Sequence, residues 1–375
     1  MTEPNAECGM LNVDGPHSTF SVQQSAVIMP FVPKRRLANG HLMTLYAWGR
    51  PRRFPRLPEP SIRYFDVEPI EQGPARVLAH CHWQPDPRSA PALIGLHGLE
   101  GSSSAHYMRG LADKAFAAGF SVVLLNQRNC GGTEHLSSGL YHSGLTNDPR
   151  RVLEELIALD RLRSIVVAGY SLGGNLALKL AGEYGDAAPP ELRGVAAISP
   201  VVELEACVRA LERRENVVYQ WNFVRNLKGR MRRKVRSWPG RFDLAALDGV
   251  RTVRAFDDAY TAPFWGFRDA SDYYHRASAL RVADRIRIAA LVIVSEDDPF
   301  VPTAPFHEPA LARNPGVRLV VTRHGGHCAF VGDPEGPADD GYWAERTIVE
   351  FASEVTRGRS PAAARTPAPS PALRA

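Results

Sequence analysis

Gly169-Tyr170-Ser171-Leu172-Gly173 sets a serine between two glycines, each two residues away. A serine hydroxyl can act as a nucleophile when a sharp strand-to-helix turn lifts it clear, and the strained backbone there demands small neighbours. The flanks fit that turn: the apolar run Ile165-Val166-Val167-Ala168 precedes it, and the helical-looking Asn175-Leu176-Ala177-Leu178-Lys179-Leu180-Ala181 follows. Ser171 is therefore the candidate nucleophile.

Such a hydroxyl needs a base, and the base needs a group to orient it. Leu291-Val292-Ile293-Val294 runs into the acidic turn Ser295-Glu296-Asp297-Asp298-Pro299-Phe300-Val301-Pro302. Asp298 is the preferred acid, with Asp297 left open as the alternative; for both, simple helix capping is the non-catalytic reading. Downstream, Arg323-His324-Gly325-Gly326-His327-Cys328 holds a histidine in a glycine-rich loop. His327 is the candidate base and His324 reads as a loop residue. The order Ser171, Asp298, His327 is that of nucleophile, acid and base in α/β-hydrolases. The two acids and two histidines could also be taken as a metal cluster, but the serine turn accounts for them better, and no metal or cofactor is expected.

A fourth element is His97-Gly98-Leu99-Glu100-Gly101-Ser102-Ser103, just past another apolar run. The backbone N–H groups of Leu99 and Leu172 are expected to form an oxyanion hole, worth roughly 3–4 kcal/mol to the transition state if both donors are well placed. A phosphate cradle is disfavoured because the Gly-Lys-Ser/Thr ending of a P-loop is absent. The expected chemistry is an acyl-enzyme on Ser171, resolved by water or by an alcohol.

These residues need a scaffold. β-like runs at 62–67, 76–82, 92–96, 121–125, 165–168, 195–198, 291–294 and 318–322 alternate with helical patterns near 105–118, 149–160, 174–184 and 342–356. That alternation predicts an α/β fold with a mostly parallel sheet covered on both faces. Residues 1–58 read as an irregular N-terminal arm and 59–356 as the main domain. Residues 357–375, rich in Pro and Ala, read as a disordered tail. The interval of about 201–285 shows no strand and predicts a helical cap over the carboxyl edge of the sheet.

Five scattered cysteines without a C-x-x-C pair argue against a disulfide framework. The start lacks the basic region and apolar core of a signal peptide, and no long apolar run could span a bilayer, so a cytoplasmic location is expected. The net charge of +5 is modest, and no nucleic-acid fold accompanies it. Between 201 and 240, however, there are ten Lys or Arg against four Glu. Val217, Trp221, Val224, Leu227, Met231 and Val235 recur at helical spacing there, with Arg225, Lys228, Arg232 and Arg236 on the other face. The plain reading is a packed cap helix with a solvated face. The sharper one is that Arg225, Lys228, Arg232, Arg233 and Lys234 meet anionic membrane surfaces.

Four stretches then point to a family: His97-Gly98-Leu99-Glu100-Gly101-Ser102, Asn126-Gln127-Arg128-Asn129-Cys130-Gly131-Gly132, Tyr141-His142-Ser143-Gly144 with Asp148, and the Ser171 turn. Together with Tyr260-Thr261-Ala262-Pro263, Gly325-Gly326-His327 and Asn39-Gly40-His41-Leu42, they resemble the YheT-like α/β-hydrolases over about residues 30–355. The resemblance implies an α/β-hydrolase fold and carboxylic-ester hydrolysis on medium-chain acyl or lipid esters, or acyl transfer to an alcohol. A non-catalytic protein binding an acyl ligand in the same pocket is the contrasting reading. Met43 and Asn129 depart from the family pattern, which commonly has glutamine and glycine there. His142 and Tyr170 are named as substrate-binding candidates, with a structural hydrogen bond as the rival role for His142.

Overall fold

In the computed structural model, the described residues are 28–67, 75–337 and 339–357. Eight strands make one sheet: β1 (Ser61–Val67), β2 (Ala75–His82), β3 (Ala92–Leu96), β4 (Ser121–Asn126), β5 (Ile165–Tyr170), β6 (Leu192–Ile198), β7 (Ala289–Ser295) and β8 (Val317–Thr322). Their spatial order is β1-β2-β4-β3-β5-β6-β7-β8. β2 runs antiparallel to both neighbours, and every other pairing is parallel. The central strands carry near-continuous Val, Ile, Leu and Ala because both of their faces are covered.

Helices α1 (Gly40–Gly49), α2 (His106–Ala117), α3 (Asn147–Ala158), α4 (Leu172–Tyr184), α5 (Leu204–Leu211) and α6 (Val217–Ser237) precede β7, and a closing helix, Trp343–Arg357, follows β8. The described residues from Phe31 to Arg357 belong to one compact unit. Between β6 and β7 the described chain is helical or turning throughout, with α5 and α6 as its longer early members. The inner stripe of α6, including Val224, Leu227 and Met231, joins the main core.

The arm departs from the irregular reading. Residues 40–49 are helical, and Asn39 caps them by accepting the Leu42 N–H at 3.1 Å. An asparagine at this position is a recognisable start signal, but the glycines at both ends of α1 masked the helix. The first 27 residues and the expected tail beyond Arg357 lie outside the described residues. No helix among the described residues is long and apolar enough to cross a membrane.

Candidate active site

β5 ends at Tyr170 and α4 begins at Leu172, so Ser171 is the turn itself. Its φ of 53° and ψ of −115° lie where L-residues rarely sit. The surroundings hold that strain: Ser171 N–H donates to Ile198 O at 2.8 Å, and Ser171 O accepts from Asn175 N at 3.0 Å. A side chain on Gly169 would overlap the Gly173 carbonyl, and one on Gly173 would overlap Leu96. The small residues are needed because strand and helix nearly touch.

Asp298 follows β7 in a tight turn. Its Oδ1 accepts the N–H groups of Phe300 and Val301 at 3.1 and 3.0 Å, which leaves Oδ2 to receive His327 Nδ1–H at 2.9 Å. The carboxylate is 1% exposed. Burial disfavours the imidazolium, but the Asp298 charge outweighs it, with help from Cys328, and His327 is held well above the usual imidazole range. Asp297 does different work. Its Oδ1 accepts from Gly326 N at 2.9 Å and its Oδ2 meets His324 Nδ1 at 3.1 Å, so it fastens the histidine loop from below.

The Ser171 turn and the loop that carries His327 both reach the end of β6. Ile198 O, the acceptor for Ser171 N–H, also lies 3.7 Å from the Sγ of Cys328, the residue after the histidine. Ser171 Oγ and the ring share no hydrogen bond among the described residues; in unliganded sites such bonds often tighten only with substrate.

The turn after β3 lies alongside. Gly98 packs so that an added Cβ would stand 3.3 Å from Ser171 Cβ. His97 is buried, and burial lowers its pKa to about 4. Its Nε2 accepts Gln127 N–H at 3.1 Å, so the proton sits on Nδ1 and is donated to Gly98 O at 2.8 Å. Leu99 and Leu172 flank Ser171 in the wall of a cavity beneath the cap. As the first residue of α4, Leu172 has no intrahelical acceptor for its N–H.

That cavity is lined mainly by apolar side chains, among them Val201, Leu204, Phe223, Leu227 and Phe300. His142 lines it too, ringed by Trp265, Phe267 and Tyr273. Burial, with the charges of Arg128, Lys179 and Arg276, lowers its pKa to about 3. Nδ1 accepts Gly144 N–H at 3.1 Å, so the neutral ring carries its proton on Nε2. Tyr170 does not line the cavity. As the residue before the turn it points into the core, packing against Tyr107 with centroids 4.8 Å apart. Asp148 is engaged by the buried Arg128 at 2.6 and 2.5 Å. No group of three or more His, Cys, Asp or Glu among the described residues is arranged to hold a metal ion.

Three site contacts escaped the sequence reading. Thr44 on α1 accepts the His327 N–H at 2.8 Å. Arg230 on α6 donates from Nε to Glu100 Oε1 at 2.7 Å, tying the cap to the turn after β3. Lys234, expected among the outward cations, is fully buried and donates to Asn129 Oδ1 at 2.6 Å and also to the Glu134 and Ser137 carbonyls. The acceptors clustered beneath the cap draw it inward. Asn129 has a φ of 66°, in the left-handed region that glycine adopts most easily.

Residues 91–334 match the family described as alpha/beta hydrolase fold. The chain is 33% identical over 307 residues to YheT of Escherichia coli (strain K12), an esterase by name, covering 80% of this chain and 87% of that protein. It is 28% identical to Medium-chain fatty acid ethyl ester synthase/esterase 2 of Saccharomyces cerevisiae, covering 70% of this chain and 61% of that one. Among solved structures, the Pyrococcus furiosus esterase Pf2001 shares the fold at 17% identity, with a TM-score of 0.52 and coverage of 79% and 92%.

Proposed function

The chain belongs to the α/β-hydrolase family, among the relatives of YheT, and on that premise we propose that it cleaves carboxylic esters through an acyl-enzyme on Ser171. Ser171 Oγ attacks the acyl carbonyl while His327 Nε2 takes its proton. Asp298 fixes the tautomer and stabilises the imidazolium. The N–H groups of Leu99 and Leu172 bind the developing oxyanion. Collapse breaks the C–O bond, His327 returns the proton to the departing alcohol, and water activated by the same ring then releases the acid.

The observation that carries this reading is the Asp298–His327 hydrogen bond of 2.9 Å, formed by a buried carboxylate and aligned on the same sheet edge as the strained serine. An ordinary surface histidine pair has no reason to be assembled there. The apolar cavity wall favours a medium-chain acyl group or a lipid ester as substrate. Transfer of the acyl group to an alcohol is the second reading, favoured by the yeast relative's name. Product partitioning with ethanol competing against water separates the two.

Fluorophosphonate labelling tests the proposal. The modified peptide should contain Ser171, and Ser171→Ala should abolish labelling and lower ester turnover by roughly 10⁶-fold. Folded protein that takes no label, or turnover that survives Ser171→Ala, would overturn it in favour of a ligand-binding role.

A further inference from the structure

The cavity wall is not uniformly apolar. Arg230 reaches it from α6 with its side chain 3% exposed. Its Nε is committed to Glu100, its Cζ lies 4.8 Å from the Tyr141 ring centroid, and its Nη1 is buried with no hydrogen-bond partner among the described residues. Asp257 reaches the same cavity and is itself buried. Its Oδ1 accepts from Thr261 Oγ1 and its Oδ2 from Tyr274 OH, both at 2.7 Å. Each oxygen keeps a further lone pair. Arg230's charge acts on Asp257 through the protein, so the two groups belong to one electrostatic neighbourhood.

An unmade donor on a buried guanidinium is costly, and a plain alkyl chain laid against it leaves the cost in place. The charge balance narrows what could satisfy it. Arg230 is already neutralised by Glu100, so an anionic substrate group would face Asp257 and Glu100 without a free counter-charge. A cationic group would face the guanidinium. A neutral hydroxyl suits both neighbours, because its oxygen accepts from Nη1 and its proton goes to Asp257.

We propose that Arg230 and Asp257 form a hydroxyl-recognition subsite, and that the enzyme's preferred esters carry a hydroxyl at a distance from the reacting carbonyl. This rests on the ester reading above and narrows its substrate class. The hydroxyl could sit on the acyl chain or on the alcohol portion, since the same pair of contacts serves either.

Binding to Ser171→Ala protein tests the subsite without requiring turnover. Calorimetric titration compares ethyl octanoate with ethyl hydroxyoctanoates bearing the hydroxyl at the β, middle or ω carbon, and with ethylene glycol mono-octanoate. At least one hydroxylated ester should bind about tenfold tighter or more than ethyl octanoate, and the arm in which it does so identifies the source. The preference should disappear when Arg230→Lys, which keeps a cation facing Glu100, or Asp257→Asn is added. If every hydroxylated ester binds no tighter than ethyl octanoate, if none binds, or if the preference survives both substitutions, the subsite is refuted. The ethyl octanoate comparison stands even where a variant fails to fold. Failure of Ser171 labelling would refute the esterase reading alone.

Discussion

Thr44 Oγ1 accepts the main-chain N–H of His327 at 2.8 Å while its own hydroxyl proton goes to Gly40 O at 2.6 Å. A helix from the N-terminal arm thus holds the histidine loop from outside the sheet. Gly40 sits so close to Asp297 that any side chain there would overlap the Asp297 carbonyl. Thr44→Val keeps the shape and removes the acceptor, leaving a part-buried N–H unpaired at a cost of about 1–3 kcal/mol. Because the loop carries the proposed base, kcat should fall by roughly tenfold or more with KM nearly unchanged. Thr44→Ser should restore most of it. Steady-state kinetics on a medium-chain ester decides: an unaltered kcat in Thr44→Val would remove the positioning role.

The Asp298 charge sets a pH dependence. It raises the His327 pKa against burial, so the ring stays protonated to higher pH than a free imidazole of about 6.5. A base must be neutral to accept a proton, and kcat/KM should therefore rise with pH along a limb whose midpoint lies above that value. Asp298→Asn removes the charge, so the limb should move to lower pH while the plateau drops by roughly 10⁴-fold. A pH–rate profile of both proteins would expose an error if the limb stayed in place or moved upward. Asp297→Asn, which alters the His324 pair instead, should leave the midpoint where it was.

The strands and the proposed triad could be read because each is written locally. Parallel strands appear as short apolar runs, the Ser171 turn as glycine spacing, and the acid and histidine loops as residues just past such runs. Thr44, Arg230 and Lys234 could not be read that way. Thr44 meets a residue 283 positions away and Arg230 one 130 positions away, and no local period announces either contact. Helical spacing marks which side of α6 is apolar. It does not reveal that Glu100 and a set of carbonyls wait beneath that side to receive two of its cations.

The outer face of α6 keeps Arg225, Arg232 and Arg233 exposed, with Lys228 half-buried. Val217, Val218 and Trp221 are exposed beside them, and the Arg225 guanidinium lies 5.5 Å from the Trp221 ring centroid. Apolar side chains bordered by cations suit the interface of an anionic bilayer. The protein should float with anionic vesicles at low salt and detach as salt screens the contact. Replacing Trp221 and Arg225 together with Ser should abolish flotation. Equal recovery with neutral and anionic vesicles would rule the contact out.

Asn129 offers a stability test built on the departure from glycine. Relieving its φ of 66° with Asn129→Gly gains about 1 kcal/mol, since asparagine tolerates this region better than most residues. The same change removes the 2.8 Å hydrogen bond from Nδ2 to Gly139 O and the 2.6 Å contact that Oδ1 makes with the buried Lys234 ammonium. Losing a neutral and a charge-assisted hydrogen bond costs roughly 2–4 kcal/mol together. The loss is the larger quantity, so Asn129→Gly should destabilise the fold by about 1–3 kcal/mol. With Lys234→Met already in place the charged contact is gone, and the same substitution should come close to neutral. Urea unfolding of the two single variants and the double variant measures the coupling. Additive effects across the cycle would show that Asn129 does not anchor the cap through Lys234.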